Sequence, residues 1–359
     1  MAEIFSNMLN SSAIYSAIWG AVSSFLLCIL LVMTKKIHGP FSMDPISGIQ
    51  KLHQSETPRV GGIAVFLATL IVYQSIEDAY RNLLQVILLA SLPVVLAGFW
   101  EDISKNVSVI SRMIASIISV VLAWWLTGYS ITHIDVIGLD AILKFRIISL
   151  FFTAFAIVGV THAINIIDGL NGLAAITSIL ILLGFSLIAF QVGDEKLRGV
   201  CLMLSGCIFG FLCINWPLGK IFLGDGGSYF TGFSIAWIAV MLVERNTDVS
   251  PFAALLICIF PITEVLFSIF RRYKSNNSLD QPDNKHLHSQ VKIKIFSKYF
   301  HSKGIVYKNS ISGLLVGALN VVPFLLAIIL YNSTILCFVA SVILIISYLI
   351  MYFKLSKLE

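Results

Sequence analysis

Charge is what this 359-residue sequence has least of. Asp, Glu, Lys and Arg make up only 12% of it, against about 25% in ordinary soluble domains. No stretch reads as a polar domain able to fold alone or as a low-complexity linker, so any chemistry must be carried by loops and helix ends. Six cysteines are present, Cys28, Cys201, Cys207, Cys213, Cys258 and Cys337. All lie in apolar runs, without CxxC or Cys/His spacing, so neither a zinc site nor a disulfide framework is indicated. No internal repeat is visible, which weighs against the inverted-repeat plan of many secondary transporters. A formal net charge of +5 is accounted for by the distribution of basic residues described below and gives no support to nucleic-acid binding.

What the sequence has in abundance is apolar side chains, 58% of the total, with a mean hydropathy of +0.92. A bilayer core takes about 20 mainly apolar residues per helical crossing. About eleven such runs are present, near 12–33, 60–76, 83–100, 109–127, 146–164, 173–192, 200–216, 229–243, 251–270, 310–331 and 335–353. They are continuously apolar rather than alternating, which disfavours a β-barrel. The expected fold is therefore all-α, a polytopic membrane protein forming one domain over 1–359, with a long polar loop at 271–309. Segments 34–59, 101–112, 165–172, 217–228 and 271–309, with the C-terminal tail, hold 18 of the 24 Lys and Arg residues. Basic loops resist translocation, so these segments are expected in the cytoplasm, the N-terminus outside and the C-terminus inside. The first run reads as a retained helix, because it is long and no small-residue cleavage site follows it. The basic stretch from Arg271 to Lys308 suits anionic membrane lipids as well as it suits topology determination.

Five polar features interrupt the apolar pattern, and all five fall on the side assigned to the cytoplasm. Lys51 and His53, with Thr57-Pro58-Arg59-Val60-Gly61-Gly62, offer cationic donors beside a backbone that a ligand can approach closely. Glu101 and Asp102, with Lys105 three residues on, end an apolar run. Adjacent acids repel, so a cation or metal beside them is one way to hold both charged. Asn165, Asp168, Gly169, Asn171 and Gly172 form an acid-and-amide loop between two apolar runs. Asn165 and Asp168 share a helical face, and ionisable groups at such positions are costly and usually functional. Gly224-Asp225-Gly226-Gly227-Ser228 places an acid among glycines at a helix entrance, where free N–H groups favour phosphate and a carboxylate suits Mg²⁺. Finally, His286 and His288 stand two apart in the long loop. That spacing does not make a helical zinc pair, but imidazoles near neutrality can engage phosphate oxygens. Each feature alone also fits a solvated turn or a helix stop. Jointly they supply the parts of a phosphoryl transfer next to a lipid phase. Acids crowded at one face also argue against a transporter, whose sites lie near the midplane.

In this order the motifs resemble the polyprenyl-phosphate N-acetylhexosamine-1-phosphate transferases, glycosyltransferase family 4. Glu101-Asp102-x-x-Lys105 is similar to the family's Asp-Asp-x-x-Lys, and Asn165 to Gly172 to its Asn-x-x-Asp-Gly-x-x-Gly. Phe222 to Ser228 is similar to its Phe-x-Gly-Asp-x-Gly-Ser, and His286 to His288 to its His-x-His. The resemblance implies Mg²⁺, with Mn²⁺ as its substitute, held chiefly at Asp225. It leaves Asp168 as either a second metal ligand or a nucleotide contact. Glu101 and Asp102 are implied near the lipid phosphate, with Lys105 countering its charge. The resemblance further implies a nucleotide pocket around Asn165 and Asn171, and phosphate contacts from Lys51, Arg59, Gly224, His286 and His288. The partners it implies are a UDP-N-acetylhexosamine donor, undecaprenyl phosphate and membrane lipids, in a bacterial inner membrane with the site facing the cytoplasm; it leaves a homodimer open. Four departures stand out. Glu101 replaces an aspartate, Asn171 stands where several relatives carry aspartate, His162 where asparagine is usual, and Ser289 follows the histidines where another histidine is common. They resemble the branch that initiates O-antigen, capsule or similar cell-surface glycans.

Overall fold

The computed structural model describes residues 12–44, 57–274, 285–296 and 304–357. Lys51 and His53 lie outside them. In chain order the helices are α1 Ser12–Met33, α2 Lys35–Ser42, α3 Gly61–Ser75, α4 Asp78–Ser104, α5 Val109–Thr127, α6 Leu139–Leu143, α7 Arg146–Ile167, α8 Leu173–Gln191, α9 Glu195–Asn215 and α10 Gly224–Arg245. They continue with α11 Pro251–Ile257, α12 Ile259–Lys274, α13 Leu287–Gln290, α14 Ile305–Ala318, α15 Val321–Leu330 and α16 Thr334–Ser356. Among the described residues the sole β pairing joins Met43–Asp44 to Thr57–Pro58, two residues a side. The fold is all-α, as the continuous apolar runs require.

Each of the eleven apolar runs emerges as a helix or a helix pair. Nine helices of the described chain, counting 305–330 as one, are long and apolar enough to cross a bilayer. Helices α11 and α12 make a tenth only as a broken pair bent by 76°, and the shorter apolar helix α3 accounts for the eleventh. The apolar-basic stretch Val291–Phe296 is a π-helix.

Between apolar helices in lipid there is little hydrophobic driving force, so close backbone packing must hold them together, and small residues allow it. Helix α9 shows this at Gly206 and Gly210, four apart. A Cβ on either would lie 2.1 Å from a carbonyl oxygen of α1, Ala17 and Ala21 respectively. The centre of the bundle is α10. Of its apolar window 94% is buried, against 22% for α1 and for α16, which identifies α10 as the axis on which the others pack. Its first turn meets α3 and α4 through glycines: a Cβ on Gly62 would fall 2.1 Å from the Gly227 Cα, and one on Gly98 2.6 Å from the Gly226 Cα. The segment leading into α10 pairs by backbone with the start of α3, Phe222 N–H donating to Pro58 O and Gly61 N–H to Phe222 O, both at 2.8 Å. Helix ends from distant parts of the chain are thereby drawn onto one helix N-terminus.

A candidate transfer site at the N-terminus of the central helix

The first N–H groups of a helix have no intrahelical acceptor, and at the buried start of α10 acids take that role. Asp102, in the last turn of α4 and 1% exposed, accepts from Asp225 N–H at 2.8 Å and from Gly226 N–H at 2.9 Å. The Gly224 amide hydrogen-bonds Asp168, at the end of α7. Gly224 has φ +78°, and a Cβ there would fall 2.5 Å from Arg59 O and 2.7 Å from Asp102 Oδ2, so only glycine fits. Carboxylates at this end of a helix also answer the positive pole of its dipole.

Asp225 faces a ring of donors from three parts of the chain. Arg59 Nη2, just ahead of α3, donates to Oδ1 at 2.9 Å; Arg112 Nη1, from the first turn of α5, donates to Oδ2 at 2.8 Å. Asn165 Nδ2 lies 3.1 Å from Oδ1 and 2.8 Å from Ser228 Oγ. Arg59 also reaches within 3.7 Å of Asp102. Three carboxylates and two guanidinium groups thus share one helix entrance. Desolvation pushes Asp168 well above the usual carboxylate range, Arg59 opposing and the neighbouring charges of Asp225 and Asp102 adding to it.

The adjacent acids part company. Asp102 turns inward to α10, whereas Glu101 Oε2 accepts from Val107 N–H at 2.7 Å and closes the following loop. Lys105 Nζ donates to Met43 O at 2.8 Å and so points towards the strand pair. Asn171 is likewise not brought to Asp225. Its backbone N–H donates to Asn309 Oδ1 at 2.9 Å and its Nδ2 to Ser310 Oγ at 3.0 Å, tying the 165–172 loop to α14.

The histidines do reach the site's edge. Their rings stack at 5.3 Å with planes 7° apart, and a Cβ on Gly169, the residue after Asp168, would meet His288 Nε2 at 2.8 Å. Burial pushes His288 down to about 4, Glu264 opposing it and His286 reinforcing it. His288 is therefore neutral at pH 7, not cationic. His286 Nδ1 sits 3.1 Å from Glu264 Oε1.

Two residues of this assembly, Arg112 and Glu264, belong to none of the five polar features of the sequence. Arg112 reads there as one more basic residue marking topology. Glu264 is the single acid inside the 251–270 run, and the cost of an ionisable group within an apolar span was the signal that could have found it.

Among the described residues no three His, Cys, Asp or Glu side chains form a ready-made metal cage. Mg²⁺, however, is usually held by one or two carboxylates with waters and substrate phosphates. Asp225 and Asp168, brought together at the α10 entrance, supply the one or two carboxylates of that mode, and Arg59 and Arg112 hold the Asp225 oxygens at 2.9 and 2.8 Å.

The fold is that of a multi-pass, all-α membrane protein with buried acids and arginines converging on one helix N-terminus, and comparison with known proteins specifies its class. The signature described as glycosyl transferase family 4 matches residues 84–243. The chain is 30% identical over 279 residues, 77% of its length and 81% of the relative's, to undecaprenyl-phosphate alpha-N-acetylglucosaminyl 1-phosphate transferase of Thermotoga maritima. It is 26% identical over 285 residues, 79% of both chains, to the probable undecaprenyl-phosphate N-acetylglucosaminyl 1-phosphate transferase of Bacillus subtilis. Over 249 residues, 67% of this chain and 77% of the relative, it is 25% identical to phospho-N-acetylmuramoyl-pentapeptide-transferase of Clostridium perfringens. The chain belongs to glycosyl transferase family 4 and is a membrane transferase.

Proposed function

We propose that the protein transfers an N-acetylhexosamine 1-phosphate from a UDP-sugar to undecaprenyl phosphate, giving a lipid-linked diphospho-sugar and UMP, as the first step of a cell-surface glycan. The observation that carries this reading is the ring of Arg59, Arg112 and Asn165 around Asp225 at the entrance of α10. A diphosphate needs cations and free N–H groups to spread its charge, and a lipid acceptor needs a site that opens beside the bilayer. In this reading an oxygen of the lipid phosphate attacks the β-phosphorus of the donor. The bond from that phosphorus to the bridging oxygen breaks, and UMP leaves with the oxygen.

Asp225, with Asp168 beside it, would hold Mg²⁺, which neutralises diphosphate charge when bound. Arg59 and Arg112 are partly exposed, at 28% and 17% of their side chains, so a phosphate can reach their guanidinium groups. Asp102 fixes the α10 entrance through the Asp225 and Gly226 amides, and its remaining lone pairs would accept from a P–OH of the acceptor phosphate. Asn165 would hold Asp225 in place, and the histidine pair would meet phosphate charge from the far side. The bias of basic residues, 18 of 24 on one set of loops, supports an inner-membrane orientation with the N-terminus outside and the site facing the cytoplasm.

Inverted bacterial membrane vesicles given Mg²⁺, undecaprenyl phosphate and a panel of UDP-N-acetylhexosamines test both parts. The expected result is a diphospho-sugar lipid by mass spectrometry with at least one donor, and none from right-side-out vesicles. No lipid product with any donor would sink the reaction. Product from donor added outside right-side-out vesicles would sink the orientation.

A further inference from the structure

Glu264 is a buried acid, 1% exposed, in a helix otherwise apolar at that depth, and such a group is retained only where it is fully hydrogen-bonded. It is. Oε1 accepts from the Leu287 backbone N–H at 2.8 Å and lies 3.1 Å from His286 Nδ1, while Oε2 accepts from Tyr348 Oη at 2.9 Å. An ionised carboxylate has lone pairs and no proton to offer. The bond to His286 therefore requires the proton on Nδ1, which leaves Nε2 as the ring's free working atom. The stacked His288 has Nδ1 3.8 Å from the same oxygen and Nε2 against Gly169, so the two imidazoles span the distance from Glu264 to the loop carrying Asp168.

The carboxylate is itself held from outside the site. Tyr348 belongs to α16, and one turn further on the same helix Tyr352 Oη accepts from Arg271 Nη1 at 2.9 Å. Arg271 Nη1 also donates to Lys285 O at 2.5 Å, beside His286. The last helix thus grips the histidine segment at two points.

We propose that Glu264 is a positioning residue of the transfer site: it fixes the tautomer and ring orientation of His286, and Tyr348 of the last helix fixes Glu264. The role of the histidines in transfer rests on the function proposed above, whereas the tautomer does not. A carboxylate behind an imidazole sets both the tautomer and the ring's aim, and loss of such supporting contacts at metal-bound histidines costs roughly 10–100-fold.

The test compares Glu264→Leu, Glu264→Gln and Tyr348→Phe in detergent-purified full-length protein, with ¹⁵N-histidine NMR and transfer kinetics. His286 is assigned by difference with His286→Asn. In the unsubstituted protein the His286 signal is expected as the Nδ1–H form. Glu264→Leu is expected to convert it to a tautomer mixture and to lower kcat by roughly 10–100-fold, with the KM for UDP-sugar within about threefold of the original. Glu264→Gln, whose amide oxygen still accepts from Leu287 and His286, should restore the Nδ1–H signal and most of kcat. Tyr348→Phe should fall between. Should Glu264→Leu fail to fold, the other two variants decide by the same readouts.

An unchanged tautomer in Glu264→Leu, or loss of activity that Glu264→Gln does not rescue, would overturn the proposal. A protein that shows the expected tautomer shifts but transfers no sugar phosphate in any form would instead overturn the proposed function.

Discussion

Asp225→Asn is expected to lower the rate of sugar-phosphate transfer by about a thousandfold or more, the scale on which a site loses a principal electrostatic element. The asparagine is nearly the same size and its oxygen can still accept from one of the two guanidinium groups now at 2.9 and 2.8 Å. The substitution therefore removes a charge while leaving the packing of α10 against α3 and α4 intact. With no carboxylate between them, Arg59 and Arg112 repel each other, and the anionic oxygen proposed for Mg²⁺ becomes a neutral amide oxygen. Thermal stability should also fall, because two partly buried guanidinium groups lose their counter-charge, so the rate is read on protein that remains folded. Lys105→Ala is the useful contrast. Lys105 is exposed and spends its ammonium on the Met43 carbonyl, so its removal is expected to alter the rate by less than about fivefold, the scale of an exposed polar contact. Steady-state UMP release by the three proteins checks both statements. An Asp225→Asn protein within tenfold of the original would remove Asp225 from the centre of the site.

The second large effect is on folding. Gly98→Ala places a methyl 2.6 Å from the Gly226 Cα, 2.7 Å from its nitrogen and 2.8 Å from the Asp225 carbonyl carbon, all backbone atoms that cannot swing aside. Helix α4 must then move off α10, and with it Asp102, whose two bonds to the Asp225 and Gly226 amides depend on that approach. Overpacking of this kind costs about 1–3 kcal/mol. Buried amides left without acceptors add about 1–3 kcal/mol each. Gly98→Ala is expected to lower the melting temperature in detergent by several degrees and to abolish transfer. Gly159→Ala, where a Cβ meets nothing within 4 Å, should match the original protein in both. Fluorescence-detected size exclusion after heating separates the two outcomes. A Gly98→Ala protein as stable as Gly159→Ala would show that the contact between α4 and α10 is looser than described.

Much of this was legible beforehand because bilayer-spanning helices announce themselves by length and continuity. All eleven apolar runs became helices, with ends within a few residues of those expected for α1, α5 and α8. The bend at Cys258 was hidden, since a hydropathy pattern records how apolar a segment is and carries nothing about its axis. The site was legible as a set of acids, amides and glycines, but not as a geometry. Adjacent residues in the final turn of a helix point about 100° apart, which is why Glu101 and Asp102 serve different partners. Asn171 carries the same chemistry as Asn165, yet the glycine at 172, with φ +82°, turns the chain so that it ends up against α14. Arg112 joins Asp225 across 113 positions of sequence, a pairing that no local pattern encodes.

The central claim is that the α10 entrance passes a phosphate together with its sugar to a lipid. Purified protein in nanodiscs containing undecaprenyl phosphate, given Mg²⁺ and the active UDP-sugar labelled with ³²P at the β-position, tests it most directly. The account predicts that the label moves into the lipid fraction in step with release of UMP. Sugar appearing on the lipid without the label, with UDP as the nucleotide product, would contradict it.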